Sequence, residues 1–590
     1  MKPIPPCLTT LAAVLATGGF DDLWADTSLP EWYGQPRSSH AGYLFSTAGT
    51  SPAANINENP FGSPVAVITL GDLADGWQQP ADPIALSGVA YDGAWDLGNQ
   101  GYISVTVPFA PSAPLAGMYY DVKYQVYAVA YHGITPLPVL DTPGMAVAGL
   151  TTQSGTVALD PWFPGATWDF QQWNGSIEHL AATTLTFDLK VPPPVAPLYR
   201  GTTSVVDTYE IFTQYTWHAS DPLARVWDGR DVDDNLWTSK DNWGGIAPVS
   251  GDTLYFAGTT RMEPANNMEA GTSFGGITFL SDAGAFTLGG NAITLAGNVT
   301  NLGNHLQTIQ LPVNLTGEHT FSTNGTAGGI TVSGVVSGAT GGIIKTGDGV
   351  LNLTGANTYQ GNTTVANGTL ALSGAGTIAA SPVIAVTAGA VLDVSDVNGG
   401  LWTLGGSQTL TGAGTVNGNT RIAGTHAPGS GIGAALGNGD WTYAAGSIFA
   451  YEFNSGVGVG PAYAADLHII NGDLTLNGTV VLDLADLAGW RCAFAEGTIL
   501  SLINYTGELG GGHMTWEGNE LTEGERFTLD ANTWEISYSA QSGGLNFSGY
   551  YVGGHFVNLN LVAIPEPGSL LALGCLLGCG LFIRTHRTHP

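Results

Sequence analysis

Four cysteines among 590 residues cannot build a disulfide framework. Cys7 lies in the first segment, Cys575 and Cys579 lie in the last apolar run, and Cys492 stands alone in the body. Stability therefore has to come from β-packing. Basic residues are scarce as well: 15 Lys and Arg face 47 Asp and Glu, a formal charge of −32. Nucleic-acid binding needs clustered cations against phosphate, so no nucleic-acid partner is expected; a thin acidic excess suits solubility outside a cell. Catalytic signatures are missing too. No Gly-x-Ser-x-Gly elbow, His-Glu-x-x-His, P-loop or Cys-pair metal motif occurs, and the 12 His form no cluster.

What the chain has in abundance is Gly, 85 residues, with short apolar alternations between them. The stretch 341–377, GGIIKTGDGVLNLTGANTYQGNTTVANGTLALSGAGT, reads as strand, turn, strand, turn, strand, because Gly or Asn-Gly cuts the alternation every few residues. Such a unit is one or two rungs of a parallel β-solenoid. Leu, Val and Ile stack inward, Thr and Asn meet water, and Gly or Asn takes positive φ at the corners. Weaker copies of the pattern run through 278–303 and 467–484. If 244–484 is solenoid at about 20 residues per rung, it holds roughly twelve rungs in a rod of about 60 Å.

Ahead of it, 27–220 has fewer glycines and many aromatics and prolines. Clean alternation at 102–109, 119–131, 183–191 and 205–217 reads as a β-sandwich of jelly-roll or galactose-binding-like type. Trp32, Tyr33, Trp77, Trp95, Trp162, Trp168 and Trp173 could supply a carbohydrate-stacking face, although filling the core is the stronger reading. Asn59, Pro60, Gly62 and Pro64 mark a turn before a strand at 65–70. Beyond 485 the residues become bulkier, with Trp490, Phe494, Trp516, Phe527, Trp534 and Phe547, as a cap on the far end would require.

The parts of a polysaccharide-active β-helix are not assembled. Arg261, Lys345, Arg421, Arg491 and Arg526 are scattered, and the odd spacing of Asp393 and Asp396, or of Asp483 and Asp486, puts each pair on opposite strand faces. Asp231-x-Asp233-x-Asn235 starts like a calcium loop, but Leu236 stands where the loop needs Gly and Asn242 where it needs a bidentate Glu. A looser calcium site or a solvated turn, the default, is left. No other cofactor or metal is expected, and no enzyme activity.

Two resemblances sharpen this picture. Gly342, Lys345, Thr346, Gly347, Gly349, Leu351, Leu353, Gly355, Asn357, Tyr359, Gly361, Thr363, Val365, Gly368 and Leu370 together resemble the autotransporter-associated β-strand repeat. That family implies an extracellular, right-handed parallel β-helix. Asn357 and Tyr359 admit a sugar-binding reading, but an inward Asn ladder and a stacked corner aromatic fit better. Trp227, Asp228, Gly229, Trp237, Asn242, Trp243, Pro248 and Asp252 resemble the lead-in to such repeats, its tryptophans capping the first rung. Ala427-Pro428-Gly429 resembles the segment that follows them.

The second resemblance lies at 564–590, IPEPGSLLALGCLLGCGLFIRTHRTHP: Pro565, Glu566 and Pro567, an apolar run from Ser569 to Ile583, then Arg584 and Arg587. It is similar to the PEP-CTERM sorting signal, which implies processing at the triplet by an exosortase-type membrane protease, with the arginines as stop-transfer residues. Fifteen helical residues give about 22 Å, short of a roughly 30 Å hydrocarbon core, so a transient membrane handle fits better than an anchor. The N-terminus has Lys2 and an apolar stretch from about Cys7 to Phe20. It reads as a signal peptide, 1–25, addressed to the Sec translocon, or else as a buried strand or helix.

The expected architecture is all-β: signal peptide 1–25, β-sandwich 27–220, β-helix 223–485 around the core repeat 341–377, β cap 486–562, and sorting signal 564–590 with a short hydrophobic helix. The expected role is that of a secreted, exosortase-sorted surface or matrix protein, structural or adhesive, with envelope or matrix polysaccharide as a partner. A carbohydrate-binding module on a β-helical stalk and a polysaccharide-active β-helix are the alternatives.

Overall fold

The computed structural model describes residues 37–44, 56–69, 76–78, 94–97, 100–115, 117–132, 138–158, 167–192, 205–325, 328–454, 465–487, 497–529, 532–544 and 551–563, with isolated positions Pro30, Ser51, Ala54 and Phe494. The expected signal peptide, the Pro565-Glu566-Pro567 triplet, Arg584, Arg587 and the C-terminal helix lie outside the described residues. Within them the chain is all-β, and no helix is long and apolar enough to cross a membrane. Two compact units divide it, Met1–Pro222 and Leu223–Pro590.

The first unit is built on three long antiparallel strands. Met118–His132 lies between Val205–Ala219 and Thr167–Leu180, and Ser38–Leu44 and Ala148–Ala158 extend the sheet on either side. Period-2 alternation explains the central strand: Tyr120, Val122, Tyr124 and Val126 are all buried on one side. A second sheet orders Val65–Thr69, Tyr102–Pro108, Thr184–Lys190 and Val139–Asp141. On Tyr102–Pro108 the buried positions are Ile103, Val105 and Val107. The sheets meet where Tyr124 packs edge-on to Phe187, with ring centroids 5.1 Å apart, and the Tyr209 hydroxyl donates to the Phe187 carbonyl. That is the expected sandwich. Asn59 closes the expected turn before Val65, donating from its side chain to the Pro108 carbonyl and accepting from Phe61 N–H.

The second unit is a parallel coil. Thr253–Phe256, Ala265–Asn266 and Thr272–Phe274 form three sides of one turn, and Gly276–Phe279 then lies parallel on Thr253–Phe256 to begin the next. Inward positions stack in rows. One row runs Leu254, Ile277, Val299, Phe321, Lys345, Val365, Val386; a second runs His319, Ile343, Thr363, Ile384, Leu410, His426, Phe449, Leu482. Steps along the first row from Ile277 to Val365 are 22, 22, 24 and 20 residues, near the expected period. Later steps from Leu410 to Leu482 are 16, 23 and 33, so the coil is less regular than a fixed period implies. Parallel pairing also continues past 485, with Ile499–Tyr505 on Leu467–Asn471 and Leu509–Trp516 on Leu474–Asp486.

Aromatic residues close both ends of the coil, and at the far end the pairing also changes. Trp227, Trp237, Trp243, Phe256 and Phe274 form one ring cluster at the start, with Trp227 and Trp243 centroids 5.1 Å apart. At the far end the ladder turns antiparallel: His555–Ala563 pairs with Ile499–Tyr505 and with Asn532–Ala540, while Phe494 bridges Phe453 and Trp534. These antiparallel hairpins end the parallel stack, with Asn519–Leu521 and Arg526–Leu529 as short outermost strands. Between the ends the stacked rows carry the stability. Leu370→Ala, at a fully buried position, is expected to lower the unfolding free energy by about 2–5 kcal/mol, measured by chemical denaturation of the full chain.

Candidate functional site

The repeat at 341–377 is where sequence resemblance and geometry coincide. Val350–Leu353 is the second of its four strands, yet the alternation outlasts the strand: Leu351, Leu353, Gly355, Asn357 and Tyr359 are buried while the residues between them are half-buried or exposed. Asn357 points inward and ties three turns together, accepting from Val336 N–H at 2.9 Å and donating to the Thr377 carbonyl at 3.2 Å. Tyr359 fills the corner beside it. Its hydroxyl lies 2.7 Å from Thr363 Oγ1, which donates to Ser381 Oγ at 3.0 Å. Thr363 is therefore a core residue, contrary to the expectation that threonines face water, because this hydroxyl chain satisfies it. With Asn357 and Tyr359 buried, neither offers a sugar-binding surface.

Lys345 is the least expected member of this core. It occupies an inward position between Phe321 and Val365, fully buried, and its ammonium donates to the carbonyls of Thr346 at 2.7 Å, Gly347 at 2.6 Å and Asn367 at 3.1 Å. Three donors meet three acceptors. Burial lowers its pKa to about 8, partly opposed by the charge of Asp348. The glycines of the motif make room for this. Gly347 and Gly368 have φ of 74° and 67°, and a Cβ on Gly368 would sit 2.3 Å from the Gly347 carbonyl oxygen and 2.8 Å from Lys345 Nζ. Gly349, Gly355 and Gly361 lie where a Cβ would strike the backbone of the turn below, at 2.6 Å, 2.6 Å and 2.4 Å. Val365 and Leu370 are core residues of the following turn.

The lead-in motif is also structural. Asn242, fully buried, accepts from Asp231 N–H and donates to the carbonyls of Asp234 and Leu236, so it shapes the turn suspected of binding calcium. The carboxylates there serve the turn itself: Asp231 accepts from Asp233 and Asp234 N–H, and Asp234 from Leu236 N–H and Ser239 Oγ. Those last two bonds, the Leu236 one foremost, hold the Asp234 carboxyl below its usual range. Asp228 pairs with Arg230 at 2.9 Å. Among the described residues no group of three or more His, Cys, Asp or Glu is placed to hold a metal ion.

Of the aromatics proposed for a stacking face, Trp173 is buried; the side chains of Trp32, Tyr33, Trp77, Trp95, Trp162 and Trp168 lie outside the described residues. Asp393 and Asp396 both sit on the outer side, against expectation, because Val394 and Ser395 together oppose Leu372 in a bulge of Val391–Val397 that shifts the alternation. Asp393 accepts from the backbone and hydroxyl of Ser395. Asp483 and Asp486 follow the alternation, one exposed and one half-buried.

Sequence reading missed two arrangements. The corner Asn-Gly-Asn at 417–419 recurs as Asn-Gly-Asp at 438–440 and 471–473, and its side chains form outward ladders. Asn471 donates to Asn438 and Asn438 to Asn417, each at 2.8 Å, while Asn419, Asp440 and Asp473 each accept from the backbone N–H of the next corner. The recurring triplet was the available signal. Histidines also cluster where sequence showed none. His426 Nδ1 and His468 Nδ1 flank the Tyr443 hydroxyl at 2.7 Å and 3.0 Å inside the coil, packed against Trp441. These partners are 17 and 25 residues apart on three different strands, Thr425–Pro428, Trp441–Tyr443 and Leu467–Asn471, which is what hid them.

A family model described as the passenger-associated-transport-repeat matches residues 343–372. The chain is also similar to the adhesin BmaC autotransporter of Brucella suis biovar 1 (strain 1330), 35% identical over 113 residues, which is 19% of this chain and 3% of that protein. It thus spans a small part of that relative's length. Among solved structures, the catalytic domain of a GH87 α-1,3-glucanase in complex with tetrasaccharides aligns over 77% of this chain and 98% of that one, at 10% identity and a TM-score of 0.16. The chain therefore carries an autotransporter-associated repeat, and the matched residues are those that build the Lys345 and Asn357 rung.

Two outcomes check this rung and its neighbour. Lys345→Met keeps the bulk but leaves three carbonyls without a donor; it should lower the unfolding free energy by about 2 kcal/mol or more in denaturant titrations. Burial lowers the pKa of His426 to about 3 and that of His468 well below its ordinary value, so the unfolded chain takes up protons below about pH 6.5 and the fold does not. Asp466, which burial raises to about 8, works the other way between about pH 3.8 and 8. From pH 6 to 4.5 these groups together should cost about 1.4 kcal/mol per pH unit, and His426→Phe should flatten that slope.

Proposed function

We propose that this protein is exported and works at the cell surface or in the extracellular matrix as a structural or adhesive element. In this reading the parallel coil is a stalk, right-handed as in the family it resembles, and the N-terminal sandwich, with a jelly-roll or galactose-binding-like plan, is the part displayed. What supports it above all is the repeat at 343–372, which matches a passenger-associated repeat and sits within a continuous parallel ladder. The similarity to a protein named as an adhesin adds weight. Such a stack extends by adding turns and resists proteolysis without disulfides, which suits display outside a cell. The reading is non-enzymatic: Asp231, Asp234 and Asp393 are engaged by their own turns, and Lys345 is locked in the core.

The route belongs to the same proposal. A signal peptide at 1–25 would bring the chain to the Sec translocon, and the apolar run from Ser569 to Ile583 would hold it in the inner membrane. Arg584 and Arg587 would stop transfer, and an exosortase-type protease would cut near Pro565, Glu566 and Pro567. Mass spectrometry of the native C-terminus, with cell fractionation, tests it. A terminus between Pro565 and Gly568 and protein at the surface or in the medium are expected. An intact Arg584 to Pro590 tail in the membrane fraction would instead make the chain a permanently anchored protein.

A further inference from the structure

At one end of the larger sheet of the first unit, three neighbouring strands bring together Asp121, His179 and His218. His179 sits in a β-bulge of Thr167–Leu180, where Glu178 and His179 together oppose Asp121 between the Ile177–Val122 and Leu180–Tyr120 pairs. Its φ is 57°, a left-handed conformation rarely adopted by His. Asp121 holds that conformation: Oδ1 accepts from His179 N–H at 2.9 Å. The other oxygen of the same carboxylate, Oδ2, lies 3.1 Å from His218 Nδ1. One carboxylate thus orients both histidines. The result is that the two Nε2 atoms converge to 3.0 Å in a solvent-exposed position, with Tyr119 packed edge-on to the His179 ring.

This arrangement has the parts of a chelate. An Nδ1–H donated to a carboxylate fixes the tautomer whose Nε2 lone pair is free for a metal, and such a partner is the usual outer-shell companion of a ligating histidine. Metal–nitrogen bonds of about 2.0–2.1 Å to two atoms this far apart subtend roughly 90–97°. That angle fits cis positions of a tetragonal or octahedral ion better than tetrahedral zinc, and imidazole donors favour copper at the top of the divalent series. No third His, Cys, Asp or Glu ligand is in place among the described residues, so solvent would complete the coordination. We propose that His179 and His218 form a surface site for a divalent transition ion of the copper or nickel type, positioned by Asp121. The site is independent of the coil and of the export route.

Copper(II) titration of the full-length protein, in the presence of glycine as a weak competing chelator, tests this. One equivalent should bind, with electron paramagnetic resonance showing two coordinated nitrogens, and excess calcium should not displace it. His218→Ala and His179→Asn should each weaken binding at least tenfold; asparagine tolerates the left-handed backbone, so the second variant keeps the bulge. Asp121→Asn should weaken it by about 10- to 100-fold through loss of orientation while both nitrogens remain. Circular dichroism checks that each variant is folded. Affinity within about twofold of the parent in either folded histidine variant, or a spectrum without two nitrogens, would overturn the proposal and leave a plain hydrogen bond between the rings.

Discussion

Each turn of the coil is incomplete alone, because its backbone groups and its inward side chains find their partners only in the turns above and below. The strands satisfy this by parallel pairing. The corners have no strand geometry to rely on, and there side chains take over. Lys345 closes three carbonyls, Asn357 links Val336 to Thr377, and Gln408 donates to the carbonyls of Ile378 and Ser381. A charged ammonium in an apolar core is tolerable only because each of its protons has an acceptor. The repeat motif is thus a recipe for a corner, and its lysine is a structural group.

Much of this was legible in the sequence because strand alternation and glycine placement are local properties. Tyr102–Pro108, Met118–His132, Thr184–Lys190 and Val205–Ala219 are legible to within two residues, the second because Tyr120, Val122, Tyr124 and Val126 alternate without interruption, whereas Ala148–Ala158 is not. Thr167–Leu180 escaped, as its Gln171, Gln172, Asn174 and Gly175 break the apolar pattern, although Trp173 and Ile177 are buried. The inward Thr363 escaped for a different reason: its burial depends on hydroxyls at Tyr359 and Ser381, the second contributed by the next turn. Bulges are the third source of error. At Asp393 and Asp396, and again at His179, one extra residue changes which side a group faces, and no residue type announces it.

Charge has a consistent place in the molecule. A chain with an excess of acids over bases keeps its carboxylates at turns, where backbone N–H groups stabilise them, as at Asp231, Asp234, Asp440 and Asp473. Stacked corners then carry like charges one strand spacing apart, and the amide that each carboxylate accepts from the next turn offsets the repulsion. Of the buried carboxylates, Asp252 has a basic partner in Arg225 at 3.0 Å and Glu210 has one in His40 at 3.2 Å. His426 and His468 are held uncharged by burial, which ties the integrity of that part of the coil to pH.

The short reach of the family match follows from the same physics. A turn asks for little: apolar side chains at a few inward positions, a small residue where backbones approach, and one device to satisfy each corner. Different residues meet those demands in different turns, Lys345 in one, Gln408 in another, the Asn-Gly-Asp corners in a third. Sequence can therefore drift while the ladder persists, and a family model matches 343–372 although parallel pairing runs from Ala224–Trp227 to Leu509–Trp516. The match ends at 372, and the fold continues because stacking does not depend on which corner is used.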